Sequence, residues 1–199
     1  MSTTNTTTPS TTTASTRNVA GTEIPAAGTW TIDPGHADVA FIGRHFLLTK
    51  VRGRFTGVRG DIVIADDPAD SRVSVVIDTA SVSSGAADRD DHLRSPDFFD
   101  VEQHPEAAFA STDVRWDGRA AVVTGELTLV GVTRPVQLDV EYLGTVVDPW
   151  NNERAIFSAS AELDREDWGL TWNMALEAGG VLVGKRIRLE IEIEAIRQV

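Results

Sequence analysis

The chain has 199 residues, of which 30 are acidic and 18 are Lys or Arg, so its formal net charge is −12. This length suits one domain with a substantial core, and the 41% of apolar residues indicates a folded rather than a disordered chain. The charge disfavours nucleic acid and anionic membrane surfaces as partners unless bases cluster, and the absence of cysteine excludes disulfides, thiol chemistry and Cys-based zinc sites.

The first 26 residues are rich in Ser and Thr and poor in apolar side chains. They can bury too little surface to offset the entropy of ordering, so residues 1–26 are predicted to be a disordered tail and residues 27–199 the folded domain. The segment has neither the basic opening nor the apolar run of a secretory signal, and no later stretch has the apolar length of a bilayer span. A cytoplasmic protein without an integral membrane span is therefore expected.

From Trp30 onward, apolar and polar residues alternate with a period of two, which is typical of half-buried β-strands. The alternation is clearest in "KRIRLEIEIEAI", where residues 187–193 place four aliphatic side chains on one face. Turn signals separate the runs, among them "DPG" at residues 33–35. The pattern predicts an all-β fold of about eight mostly antiparallel strands. Closure into a barrel would remove the edges of so large a sheet, and a β-sandwich is the alternative.

The alternation stops at residues 84–103, where a short helical insertion is predicted. Residues 95–97 have the pattern of a helix start: a Ser N-cap, a first-turn proline and an acid favoured by the helix dipole. The helix is predicted to begin there and to carry the two phenylalanines at 98 and 99. Another turn or two can precede it, with Arg89 and His92 on one side.

The motifs that could carry catalysis or metal binding fail on their spacing. "DRDDHL" lacks the glycine and the final acid of a calcium loop, and "GGVLVGKR" has Arg186 in place of the Ser or Thr of a phosphate loop. The histidines show no metal-ligand spacing, although strands could still bring them together. No catalytic residue, metal or cofactor is therefore predicted. The alternative is a metal- or base-dependent hydrolase or isomerase that uses His36, His45, His92 and His104. A third hypothesis is an interaction module whose acidic surface binds a basic partner.

Aromatic and aliphatic side chains are spread over nearly every predicted element, as expected if all of them face one interior. An eight-stranded barrel has an interior that side chains can fill or that can hold one slender ligand. Small residues such as Gly43 and Ala159 would leave room for a ligand. The residues predicted to line this interior are Phe41, Phe55, Val75, Ile77, Phe98, Phe99, Phe109, Phe157, Trp168 and Trp172.

The chain resembles the YceI-like family of polyisoprenoid-binding proteins in four stretches that occur in the family's order and spacing. They are "GTWTIDPGHADVAFIGRHFLLTKVRGRFTGVRGDI", "RDDHLRSPDFFDVEQHPEAAF", "GELTLVGVTRPVQLDV" and "LDREDWGLTWN". The resemblance covers residues 28–199 and implies a lipocalin-like barrel whose elongated apolar cavity holds a long-chain isoprenoid or similar amphiphile. It implies binding, carriage or sequestration rather than catalysis, and a possible homodimer. The chain departs from the family at Lys185 and Arg186, where relatives often have an acid.

Arg and His side chains suit the polar head of such a lipid, because a guanidinium offers a fork of donors to a pyrophosphate or a quinone carbonyl. The expected ligand is of the prenyl quinone or polyprenyl phosphate type. The residues predicted to contact its head are Arg44, His45, Arg52, Arg89 and His92. In the alternative interpretation, Arg89 and His92 pair with acids of the insertion and only fasten it to the barrel.

Overall fold

The computed structural model of the protein describes residues 15–46, 48–175 and 182–198. The strands in this part of the chain are β1 (Thr16–Val19), β2 (Thr22–Pro25), β3 (Gly28–His45), β4 (Thr49–Phe55), β5 (Val58–Ile64), β6 (Arg72–Asp78), β7 (Val82–Ser83), β8 (Glu106–Asp117), β9 (Ala120–Leu129), β10 (Val132–Val147), β11 (Glu153–Asp164) and β12 (Arg186–Arg197). The helices are α1 (Ala87–Arg94) and three short 3₁₀ turns, Pro68–Asp70, Thr79–Ser81 and Arg165–Trp168. None of the helices in the described ranges has the length and apolarity needed to cross a membrane.

Eight of the strands close into an antiparallel barrel. Their order is β3, β5, β6, β8, β9, β10, β11 and β12, and β12 pairs again with β3. The 18 residues of β3 span the whole wall: its first residues pair with β5 and its last with β4, while β12 runs along its other side. β7 pairs with β4, so these two strands extend the wall at one end. The prediction of an antiparallel, lipocalin-like barrel of about eight strands with a short helical insertion is confirmed.

The "DPG" signal at residues 33–35 forms a bulge in β3 and does not end it. β12 opposes Ile32 and Ala37 with Ala195 and Ile193, so four residues of β3 face one residue of β12. Neither β4 nor β5 pairs with this part of β3. Pro34 has no N–H to donate, and a bulge without a partner on one side is a position where a strand tolerates proline.

Residues 15–26 form a hairpin, so the prediction of a disordered tail up to residue 26 is wrong for this segment. β1 pairs with β2, and the side chain of Ile24 is only 2% exposed. The Arg17 guanidinium donates to the backbone carbonyls of residues 65 and 66, and the Trp30 indole N–H donates to the carbonyl of Ala26 at 3.1 Å. Composition gave no sign of this hairpin, because only two of its side chains, Ile24 and Pro25, are buried.

Replacing Ile24 by Ala is expected to lower the free energy of unfolding by about 2–4 kcal/mol, the usual cost of truncating a fully buried aliphatic side chain. Urea unfolding would measure the change, with the exposed neighbour Glu23→Ala as the matched control. Equal stability of both variants would contradict a packed hairpin. Residues 1–14, the rest of the predicted tail, lie outside the described residues.

The helix of the insertion ends where it was predicted to start. Ser95 is the C-cap of α1, and both its N–H and its hydroxyl donate to the carbonyl of His92, at 3.1 and 2.7 Å. Phe98 and Phe99 lie in the turns that follow. A residue before proline is disfavoured in the α conformation, so Ser95 followed by Pro96 terminates a helix more readily than it begins one.

The two ends of the barrel differ. At the closed end, where Thr31 of β3 lies beside Ile196 of β12, the side chains of Trp30 and Tyr142 are almost completely buried and the β1–β2 hairpin covers them. At the opposite end, the mouth, α1 and the segment after β11 lie over the interior. Some side chains near the mouth, such as Phe41 and Trp172, are only partly buried.

Candidate functional site

The interior of the barrel contains two apolar cavities. The outer cavity has a volume of about 300 Å³ and opens at the mouth, and the inner cavity has a volume of about 140 Å³ and lies toward the closed end. Val39, Ile77, Leu127 and Leu189 line both cavities. The two therefore meet at these four side chains, which form a junction between them.

The predicted lining residues, with the exception of Trp168, face these cavities. Phe41, Phe55, Phe98, Phe99 and Trp172 line the outer cavity. Val75, Phe109 and Phe157 line the inner cavity, and Ile77 lies at the junction. Period-two alternation explains this outcome for the residues on strands, because every second residue of a barrel strand points inward, whereas Phe98, Phe99 and Trp172 reach the cavity from segments outside the strands.

Trp168 does not line either cavity, so its assignment to the ligand-facing set is corrected. It is 3% exposed and packs in the core with neighbours that include Val136 and Ala161. Its indole N–H donates to the backbone carbonyl of Leu127 at 3.1 Å. This side chain is held against β9 within the packed core and does not border the open space.

The mouth gathers four of the five side chains that were predicted to contact a lipid head. Arg44, His45, Arg89 and His92 all line the outer cavity. Arg44 donates to the carbonyl of Leu48 at 3.2 Å, and Arg89 donates to the hydroxyl and the carbonyl of Ser84 at 2.7 and 3.0 Å. Neither arginine has a carboxylate partner among the described residues, so both guanidinium groups keep their charge available.

Arg52 lies on the outer face of the barrel, and its prediction as a head contact is corrected. Its guanidinium pairs with Glu190 at 2.5 Å and Asp38 at 3.1 Å, and the pairing with Glu190 raises its pKa. The neighbouring Val51 and Phe55 point into the outer cavity. Alternation along β4 therefore directs Arg52 away from it.

Arg165 is a mouth residue that the sequence analysis did not identify. It lines the outer cavity and is only 5% exposed, and its guanidinium donates to the backbone carbonyls of Gly184 and Leu170. Burial lowers its pKa, and the nearby Asp164 and Glu166 only partly offset this. In the sequence it stands among acids in "LDRED", which is the usual pattern of a solvated surface arginine.

The aromatic rings at the mouth form one cluster around His92. The imidazole meets the edges of Phe98 and Trp172, with ring centroids 5.0 and 4.6 Å away, and its Nε2 pairs with Asp97 at 2.9 Å. His92 thus both anchors the turn after α1 and lines the outer cavity. The head-contact and fastening interpretations of this residue are compatible with each other.

Most of the fastening of α1 comes from residues that the sequence analysis did not single out for it. Arg94 donates to the carbonyls of Ala80 and Val82 at 3.0 and 2.8 Å and pairs with Asp91 at 3.1 Å. The buried carboxylate of Asp90 accepts hydrogen bonds from the N–H and hydroxyl of Ser84, which lower its pKa. Arg89 is therefore not the principal anchor of the helix.

The four histidines are not brought together. His36 pairs with Asp33 at 2.9 Å near the closed end, whereas His45 and His92 lie at the mouth. His104 lies beside the backbone of Gly131. Within the described ranges, no three His, Asp or Glu side chains are placed to share a metal ion.

The YceI-like domain model matches residues 30–195, which include the mouth and all of the barrel except the first two residues of β3 and the last two of β12. The chain belongs to the YceI-like family. A UPF0312 protein of Photorhabdus laumondii is 38% identical over 175 residues, which cover 86% of this chain and 88% of that one. The YceI-like barrel also resembles two solved structures at identities that establish the fold alone. One is BcnA of Burkholderia cenocepacia, with a TM-score of 0.72 and 19% identity, covering 82% of this chain and 99% of that one. The other is a polyisoprenoid binding domain from Saccharophagus degradans, with a TM-score of 0.62 and 17% identity, covering 87% of this chain and 100% of that one.

Proposed function

We propose that this YceI-like protein binds one long-chain isoprenoid lipid, with the chain in the two cavities and the polar head at the mouth. The observation that carries the proposal is the pair of adjoining apolar cavities that opens at an end lined by Arg and His. The structurally similar protein from Saccharophagus degradans is a polyisoprenoid binding domain, which supports the same class of ligand for this protein. Enclosure of the lipid chain inside the barrel favours sequestration or carriage of the lipid rather than its chemical conversion.

The cavities can supply the affinity for the chain. Each methylene removed from water contributes about 0.8 kcal/mol, so a few five-carbon prenyl units approach micromolar to nanomolar affinity after ordering costs are subtracted. A dry cavity of about 150 Å³ holds a benzene-sized group. The inner cavity, at about 140 Å³, is therefore suited to roughly the last prenyl unit of a chain that enters through the outer cavity.

The charges at the mouth favour a lipid with an anionic head. No Asp or Glu among the described residues lines the outer cavity, although the chain as a whole has 30 acids. Arg89 and the buried Arg165 contribute positive charge there, and Arg44 lies at the rim, where alternation along β3 directs its side chain toward the outer wall. A guanidinium binds phosphate through paired, charge-assisted hydrogen bonds, so a polyprenyl phosphate fits this mouth better than a prenyl quinone.

Organic extraction of the purified protein followed by mass spectrometry tests the proposal. The expected result is a co-purifying prenyl lipid, or stoichiometric uptake of added polyprenyl phosphate by protein stripped of lipid. Protein that contains no lipid and takes up neither polyprenyl phosphate nor prenyl quinone would overturn the proposal.

Replacing Arg89 by Gln is expected to weaken binding of polyprenyl phosphate by roughly tenfold or more, because a charged hydrogen bond to the head is lost. Binding of the uncharged polyprenol should change little, since the cavities that hold the chain are unaltered. Calorimetric titration of both lipids would measure the difference. The matched control is Arg115→Gln, which alters an exposed outer-face arginine paired with Asp113. An equal loss for both lipids would contradict a head contact.

A further inference from the structure

Three exposed apolar side chains lie together at the rim of the mouth. Phe46, Leu48 and Met174 are 46%, 77% and 55% exposed. They lie on adjoining segments, because Phe46 donates its backbone N–H to Leu182 at 2.9 Å and Leu182 donates to Met174 at 3.0 Å. Single exposed apolar residues are ordinary, but a group of them around the opening of a cavity indicates an interaction surface.

Basic side chains cluster on the outer wall next to this apolar rim. Residues of β3, β4, β11 and β12, with the two residues before β12, line one groove that contains Arg44, Lys50, Lys185, Arg186 and Arg188 but only two acids, Glu162 and Glu190. The sequence shows no basic run, because the groove is assembled from separate strands. The basic side chains therefore cluster only in the folded protein, and the composition of this acidic chain does not reveal the cluster.

The pairing within the β3–β4 hairpin places two of these charges side by side. Arg44 lies directly opposite Lys50 in the ladder, and neither has a carboxylate partner among the described residues. Like charges at directly opposite positions destabilise a strand pair. An anionic surface in front of the hairpin would neutralise both charges.

The other bases of the groove are only loosely neutralised. Lys185 pairs with Glu166 at 2.6 Å, with the lysine side chain more than half exposed. Arg186 lies 3.8 Å from Glu162, and both side chains are largely exposed. Such surface pairs are weak and can exchange a partner for an anion.

We propose that the mouth docks on an anionic lipid bilayer, with Phe46, Leu48 and Met174 entering the interface and the basic groove facing the lipid headgroups. Apolar insertion and electrostatic attraction together bind proteins to such surfaces, and each favourably placed base adds to the attraction. The acidic remainder of the molecule is repelled by the same membrane and orients the mouth toward it. Apart from Arg44, which borders both the groove and the outer cavity, the docking surface lies outside the cavities, and docking would bring their opening to the place where a lipid can enter or leave.

An acidic protein is the competing partner for the basic groove. It would need the positive charges, but it would not need three apolar side chains at the rim of the mouth. Dependence on both features therefore distinguishes a bilayer from an acidic protein.

Flotation of the protein with vesicles tests this inference. The vesicles are made of phosphatidylcholine alone or of phosphatidylcholine mixed with an equal part of phosphatidylglycerol. Wild-type protein is expected to float with the anionic vesicles only and to be released by salt. Both Leu48→Ser with Met174→Ser and Lys50→Glu with Arg186→Glu are expected to lower the partition coefficient by about tenfold or more.

Matched controls change the same residue types elsewhere. Leu143→Ser with Trp150→Ser alters exposed apolar side chains near the closed end, and Arg115→Glu reverses an outer-face charge. These controls should float like wild type, and circular dichroism should show that every variant is folded. Failure of wild type to float with anionic vesicles at low salt would overturn the inference. So would an equal loss in the mouth and control variants, or binding that needs the bases but not Leu48 and Met174.

Vesicle binding and cargo binding can be separated in the same assay. A variant whose cavities are blocked at Leu189, the junction residue, should still float with anionic vesicles as wild type does. Loss of flotation in that folded variant would mean that membrane association reflects capture of lipid by the cavity, and would overturn the docking surface.

Discussion

Replacement of Leu189 by Trp is expected to weaken binding of long-chain isoprenoids by about a hundredfold or more while the barrel remains folded. Leu189 is the fourth residue of β12, opposite Phe41 of β3 and Ala161 of β11, and its side chain lines both cavities. An indole at this position would fill the junction and separate the inner cavity from the outer one. The lipid would then lose burial of about one prenyl unit, worth roughly 4 kcal/mol at 0.8 kcal/mol per carbon before ordering costs.

Chain length distinguishes this effect from general damage to the protein. A prenyl phosphate short enough for the outer cavity alone should bind the Leu189→Trp variant about as well as wild type. Leu189→Met, which conserves volume, is the control and should bind both lipids normally. Calorimetry with the two chain lengths would measure the effect. Undiminished binding of the long chain by a folded Trp variant would show that the chain does not cross the junction.

The wall of the barrel could be predicted from the sequence because its signal is local. Alternation along single strands identifies inward positions such as Phe41 and Phe157 without any knowledge of the partner strands. The same rule, applied consistently, predicts that Arg52 faces outward. Once Phe55 is assigned inward, Val51 and Gly53 must face inward as well and Arg52 outward, as the structure shows.

Features that depend on how strands pair could not be predicted in this way. The basic groove requires Lys50 to lie opposite Arg44 and β12 to lie beside β3, and this register is set by tertiary pairing. The burial of Arg165 depends on carbonyls supplied by Gly184 and Leu170. The β1–β2 hairpin is ordered because it packs over the closed end of the barrel, and the composition of the hairpin does not reveal this tertiary contact.

Replacement of Arg154 by Met is expected to cause a large loss of stability at neutral pH, about 2–3 kcal/mol, through removal of a mostly buried charge partner. At the closed end, the Arg154 guanidinium donates to Asp148 at 2.8 Å, Asp33 at 2.6 Å and Glu194 at 3.2 Å, and its side chain is 12% exposed. Without it, three carboxylates would lie close together with no cation between them. Arg59→Met is the matched control, because its pair with Glu106 is exposed on both sides and should contribute little.

The loss is expected to shrink as the pH falls. The hydrogen bond from Arg154 lowers the pKa of Asp33 to about 2, and hydrogen bonds from Asn152 and Arg154 lower the pKa of Asp148 against the opposing effect of burial. The unfolded wild type therefore binds more protons than the folded one below the ordinary carboxyl range, and its stability decreases as the pH falls from about 4 to 2.

In the Met variant this pH dependence is expected to be weaker. Asp33 and Asp148 lose the hydrogen bonds from Arg154 that lower their pKa values, so the pKa of each lies nearer its ordinary value in the folded variant and less stability is lost as the pH falls. Urea unfolding of wild type and variant at neutral pH and near pH 3 would measure both slopes, and the two stabilities should converge at the lower pH. A difference that is the same at both pH values would mean that Arg154 stabilises the closed end through packing rather than charge.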